Sequence, residues 1–241
     1  MIVSNLSFSY KNQNILNDIN FSVKDGEIIM VLGVNGVGKS TLMKCLAGVL
    51  NHSGLIDLEG IKPTKIGYMT QNIVSNDCLS VFEFILLGRI GELRFKVSDK
   101  DLLRVEHVIS HLKIEHLAKR NFNELSGGQQ RLVIVAQMLA KEPKLMFLDE
   151  PTANLDIARE KEIMELIKQY CKFYNVAAII NIHNINHALK YADKILLLKE
   201  GKSAFFGEVN ELKLDILEEC FKVKFDTYFN ANNDKIIFEK Y

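Results

Sequence analysis

Two short stretches carry residues whose types and spacing suit phosphate chemistry. "GVNGVGKS", Gly33–Ser40, fits Gly-x4-Gly-Lys-[Ser/Thr]. Its glycines let the backbone fold round phosphates and aim the N–H groups of Gly33, Val34, Asn35, Gly36, Val37 and Gly38 at them. Lys39 has the charge and reach for the outer phosphates, and Ser40 offers a hydroxyl to Mg²⁺. "LMFLDE" then places Asp149 and Glu150 at the end of an apolar run. A carboxylate at such a strand end can hold Mg²⁺, and its neighbour can orient or deprotonate an attacking water. The first stretch is not Gly-x-Gly-x-x-Gly, so nothing supports a dinucleotide site.

A third stretch raises a question. "NELSGGQQRLVIVAQ", residues 123–137, sets Gly127 and Gly128 before a helical pattern from Gln129, with Leu132, Val133, Val135, Ala136 and Leu139 favouring one face. Outward N–H groups and the helix dipole make such a start a second place for an anion. The question is whether both starts can serve one nucleotide.

The elements that must position these residues follow from texture. "EIIMVLG" and "KLMFLDEP" read as strands buried on both faces, and "VAAIIN" and "ADKILLLKEG" as further strands. "INFSV" alternates within strand-like residues 1–24, and a helix is expected from Lys39 to about Leu50. "GLIDLEG" and "KIGYM" read as short strands. "SVFEFILLGRI" and "SDKDLLRVEHVISHLKI" have helical spacing, with Ser98 and Asp101 spaced as a capping box. A helix is expected over 156–173. The reading is an α/β core, about 1–71 and 140–205, interrupted by a helical block, about 72–139, with a mixed tail from about 206.

Composition sets the class. The 241 residues are 48% hydrophobic and 25% charged, enough for one sizeable core without disulfide or metal staples. Lys+Arg and Asp+Glu both number 30, which argues against a nucleic-acid partner, since a polyanion wants a basic face. Cys45, Cys78, Cys171 and Cys220 are scattered without CxxC spacing, the look of reduced thiols rather than a zinc site. "MIVSNLSFSY" lacks the basic start and apolar core of a signal peptide, and no apolar run approaches the ~20 residues of a membrane helix. Any membrane association is therefore expected through a partner.

With these residues in place the chain resembles an ATP-binding cassette (ABC) ATPase, the motor subunit of a transporter. "GVNGVGKST" (Gly33–Thr41) resembles the family's phosphate loop, "LMFLDEP" its magnesium strand and "LSGGQQ" its signature. The resemblance covers essentially the whole chain. It implies a single cassette domain: a P-loop NTPase (RecA-like) core, an N-terminal antiparallel β-subdomain, an inserted α-helical subdomain and a C-terminal extension. ATP and Mg²⁺ are the implied ligands. Gly33 to Thr41 would hold ATP, Tyr10 would stack on adenine, and Ser40, Asp149 and the Q-loop Gln71 would hold the metal. Glu150 and His183 would be catalytic. Ser126, Gly127, Gly128 and Gln129 would close the site of a second copy, with the D-loop residues Asn154 and Asp156 crossing the interface. Asn184 stands where the family usually has Asp, and Asn154 where serine is common.

"VFEFILLGRI", "HNINHALKYADKILLLKEGKSAFFG" and "LEECFKVKF" further resemble importers of iron–siderophore, haem and cobalamin-type substrates. That implies integral membrane permease subunits, docked near Gln71 and residues 80–90, and indirectly a periplasmic or surface substrate-binding protein. The subunit would be peripheral, at the cytoplasmic face of the membrane. The competing reading is a soluble cassette ATPase without a permease, as in iron–sulfur cluster assembly. Repair-type cassettes with long coiled-coil insertions are disfavoured by the short separation of Gln71 and Leu125.

Overall fold

The structure, a computed structural model, describes residues 1–70, 79–91, 96–229 and 235–240. Strands β1 (Ile2–Tyr10) and β2 (Gln13–Ser22) form an antiparallel pair joined by a tight turn, with Tyr10 opposite Gln13. Ile19 and Phe21 alternate with exposed neighbours, as a half-buried strand requires, and a register shift between Leu16 and Ile19 keeps Leu16 buried on the same side. β3 (Ile28–Leu32) is buried along its whole length and leads through the glycine-rich loop into helix α1 (Lys39–Leu46). The helix stops before Leu50, where the sequence placed its end. Gly48 turns back there, its N–H donating to the Cys45 carbonyl and that of Val49 to Lys44. β4 (Ser53–Asp57) completes the first sheet in the order β2-β1-β4, and β5 (Ile66–Met69) enters the second.

Three helices follow: α2 (Val81–Leu86), α3 (Asp99–His111) and α4 (Gly127–Ala140). Each begins with a reciprocal capping box, Ser80 with Glu83, Ser98 with Asp101 and Ser126 with Gln129. Phe84 stacks on Phe122 with ring centroids 4.2 Å apart. Arg89 is buried at their junction. Its Nε donates to Asp101 Oδ1 at 3.0 Å, and its Nη1 donates to the Ala140 carbonyl and to Glu142 Oε2, both at 3.0 Å.

The chain then returns to the main sheet with β6 (Leu145–Asp149), helix α5 (Ile157–Tyr174), β7 (Ala177–Asn181), helix α6 (Ile185–Tyr191), β8 (Lys194–Lys199) and β9 (Lys202–Glu208). Helix α7 (Leu214–Phe221) and a hairpin of β10 (Phe225–Phe229) and β11 (Lys235–Glu239) end the described chain. The six-stranded sheet runs β5-β6-β7-β3-β8-β9, parallel except for the β8–β9 pair. Its strands alternate between two cores. Met30, Leu32, Met146, Leu148 and Ile180 face the core that α2 to α7 cover. Ile29, Val31, Phe147, Ile179 and Leu196 face α1 and the antiparallel sheet. The architecture is α/β, with an antiparallel β-subdomain and a helical subdomain, as the resemblance implies. Among the described residues no helix is long and apolar enough to cross a membrane.

Candidate nucleotide site

The glycine-rich loop lies between the end of β3 and the start of α1, gripped from two sides. Gly33 (φ +146°) passes so close to β8 that a Cβ there would stand 2.6 Å from the Leu198 carbonyl. Gly38 (φ +110°) caps α1, and a Cβ there would stand 2.9 Å from Leu16 of β2. Both positions exclude other residues on backbone and steric grounds. Ser40 and Thr41 follow in the first turn of α1. Lys39 is buried, and its Nζ donates to the carbonyls of Gly33 at 2.7 Å and Val34 at 3.1 Å. Burial pushes its ammonium below the usual lysine range, against the opposing pull of Glu150 and Asp149.

The loop borders a cavity of about 500 Å³, lined by Ile15, Asn35, Gly36, Gly38, Lys39, Ser40, Thr41, Glu150 and His183. The fold thus brings the acidic strand end and the distant histidine to the phosphate loop. Asp149 is buried behind it, and its Oδ1 accepts from Ser40 Oγ at 3.1 Å and from Asn181 Nδ2 at 2.5 Å. β6 and β7 pair Asp149 directly with Asn181. Glu150 breaks the strand with a positive φ of 52°, costly for a residue with a side chain. Its N–H donates to the Asn181 carbonyl at 3.1 Å, and its carbonyl accepts from Ala153 at 3.2 Å. The turn points the Glu150 carboxylate at His183, and Oε1 and Nε2 are hydrogen-bonded.

Several expected residues stand elsewhere. Tyr10 is exposed, edge-on to Phe8 at a centroid distance of 4.7 Å, and is not among the cavity's lining residues. Ile15, on the strand paired with it, is. Ser126, Gly127, Gly128 and Gln129 also do not line the cavity. Ser126 Oγ and Gln129 Oε1 are engaged in capping α4. Asp156 caps α5 by accepting from the Arg159 N–H at 2.9 Å, and Asn154 precedes it with φ 62°. Asn184, at the position where Asp is usual, caps α6 by accepting from the His187 N–H at 3.2 Å, a task Asn performs as well as Asp. Gln71 lies outside the described residues, as does Cys78.

Sequence reasoning missed three participants. Ile15 has no chemistry to announce it, and Asn181 was visible only as the last letter of an apolar run. Arg131, the residue directly after the signature, is buried on α4. Burial pulls its guanidinium down, while Glu150 and Asp149 support the charged form.

A phosphate loop, a strand-end Asp–Glu pair and a histidine on an α/β core with antiparallel and helical subdomains define an ATP-binding cassette. The ABC transporter family model matches residues 16–153, and the chain belongs to that family as an ABC transporter ATPase. It is 42% identical to an uncharacterized ABC transporter ATP-binding protein of Methanocaldococcus jannaschii, over 83% of this chain and 82% of that protein. It is 35% identical to the molybdate import ATP-binding protein MolC of Haemophilus influenzae, over 87% and 83%. Among solved structures it resembles a transporter described as of the metal-chelate type, in an inward-facing conformation. There the TM-score is 0.90 and the identity 31%, covering 100% of this chain and 97% of that one. A dimeric post-hydrolysis cassette bound to ADP and Pi matches with TM-score 0.75 and 25% identity, over 88% of this chain and 99% of its own.

Proposed function

We propose that the chain is the ATP-hydrolysing motor of an importer, working as two head-to-tail copies beneath a membrane permease. The supporting observation is that Lys39, Ser40, Glu150 and His183 face one cavity from three separate parts of the chain. In this reading Gly33 to Thr41 cradle the phosphates, with Lys39 on the outer ones. Ser40 Oγ and Asp149 Oδ1, hard oxygens 3.1 Å apart, suit Mg²⁺, with Gln71 as a third donor. When bound, that ion neutralises charge across the phosphates. Asn181 fixes the Asp149 carboxylate. Glu150 polarises the attacking water, and His183 orients Glu150 and stabilises charge building on the γ-phosphate.

Gly127 supports the paired arrangement. A Cβ there would meet no described heavy atom within 4 Å, and its φ is not positive. A helix-start glycine that neither sterics nor backbone requires fits a surface meant for a close approach from outside. The signature residues then close the nucleotide site of the opposite copy, with Asn154 and Asp156 at the seam. ATP binds the closed pair better than the open one and shifts that equilibrium by its differential affinity.

The dimeric cassette with ADP and Pi supports the pairing by likeness, and the metal-chelate type transporter, matched end to end, supports the importer. We infer a metal-chelate cargo, such as an iron–siderophore, haem or cobalamin, and a peripheral place at the cytoplasmic face of the membrane. Relatives named for molybdate and phosphonate import share the same cassette. Cargo choice therefore belongs to the permease and binding protein. The test is Glu150→Gln, which should bind ATP and lose steady-state turnover; hydrolysis at the wild-type rate would remove Glu150 from its role.

A further inference from the structure

We propose that the C-terminal hairpin, β10–β11, is a positioning element for His183, acting through Asn186. The inference rests on the role assigned to His183 above.

α6 has seven residues, too few to hold its own position in water. Its placement is therefore set by what it packs against. Ala188 and Tyr191 enter the main core beneath it. Its first turn, which fixes where His183 stands, is held from two sides. On one, His187 Nδ1 lies 3.3 Å from Glu160 Oε1, which accepts from Thr152 Oγ1 at 3.1 Å. Thr152 is two residues beyond Glu150, so this contact, which is not a hydrogen bond, packs α6 beside the turn that presents the catalytic carboxylate.

On the other side stands the hairpin. Asn186 Nδ2 donates to the Ile237 carbonyl at 3.0 Å, and Asn186 Oδ1 accepts from the Ile237 N–H at 2.8 Å. One side-chain amide thus satisfies both backbone groups of a β11 residue on the edge away from β10, as a neighbouring strand would. Ile237 pairs with Thr227 on its other edge, and its side chain is buried in the main core. That burial fixes the register, because a one-residue slip would turn Ile237 out to solvent. Glu218 of α7 accepts from the Phe225 N–H at 3.0 Å and pairs with Lys224, holding the base of the hairpin. The hairpin is thus anchored independently of the nucleotide site, yet reaches to within three residues of His183. Ordinary packing of a C-terminal tail does not need a reciprocal amide at that point.

The test is single-turnover hydrolysis by the full-length chain in excess over ATP with Mg²⁺, using Asn186→Leu alone and with His183→Ala. Asn186→Ser, which adds no bulk and keeps a hydroxyl, serves if the leucine variant folds poorly, and melting temperature reports folding. Asn186→Leu should slow hydrolysis on the order of tenfold, as small misplacements of catalytic groups do, with ATP affinity within about twofold. On the His183→Ala background it should add nothing further. Hydrolysis within about twofold of wild type in folded Asn186→Leu or Asn186→Ser would overturn the proposal. An equal loss with and without His183 would overturn it too. Wild-type hydrolysis by His183→Ala alone would instead overturn the assignment of His183, and the inference with it.

Discussion

Gly127→Ala separates folding from function at the signature. The position is the first residue of α4, with Ser126 as its cap, and an added methyl would meet no described heavy atom within 4 Å. Replacing a helical glycine by alanine stabilises a protein by roughly 0.5–1 kcal/mol, with the lower end apt for a first-turn position. For a chain of this size, that raises the melting temperature by about 1–4 °C. In the closed pair proposed above, the same methyl would meet the nucleotide on the partner's phosphate loop. Forcing one methyl into a fitted contact costs typically about 1–3 kcal/mol, or roughly 5- to 150-fold in the population of the closed state. The variant should therefore melt higher and hydrolyse ATP more slowly, with ATP binding to the isolated chain unchanged. Calorimetry and a phosphate-release assay on the same preparation measure both. A variant that is stabilised and fully active would refute the argument, since Gly127 would then face nothing.

Further outcomes follow from other sites. Arg89→Ala should destabilise the chain by about 3 kcal/mol, because it takes the charge partner from the buried Asp101 carboxylate, which keeps only its Ser98 hydrogen bonds, and leaves the Ala140 carbonyl without this donor; denaturant unfolding measures it. Asn184→Asp should keep stability within about 0.5 kcal/mol, since both residues cap well, and steady-state assays should find turnover within about twofold. Burial raises the thiols of Cys45 to about 11 and Cys171 to about 12. Both should thus stay unalkylated at pH 8 in the folded chain and react in denaturant, as mass spectrometry will show.

Much of the site was legible because its chemistry is local in sequence. The phosphate loop is eight consecutive residues, and Asp149–Glu150 announce themselves at the end of an apolar run. The box at Ser98 and Asp101 was legible for the same reason: its partners are three residues apart. What escaped reading depends on contacts between remote segments. Arg89 reaches Glu142 across 53 positions, and Asn186 reaches Ile237 across 51. Nothing in their neighbours marks either pair. Asn181 looked like the polar end of a strand until β6 and β7 set it opposite Asp149. α1 ran shorter than its apolar pattern because Gly48 ends it, and hydrophobic spacing does not register that.

The pairing of two chains round ATP is the central claim, and the mass of Glu150→Gln in solution tests it most directly. In sedimentation with ATP and Mg²⁺ this variant should run at twice the mass of one chain, return to one chain when nucleotide is withdrawn, and stay at one chain when Ser126→Arg is added. A Glu150→Gln protein that stays single at saturating ATP, or a double variant that pairs as readily, would contradict the account.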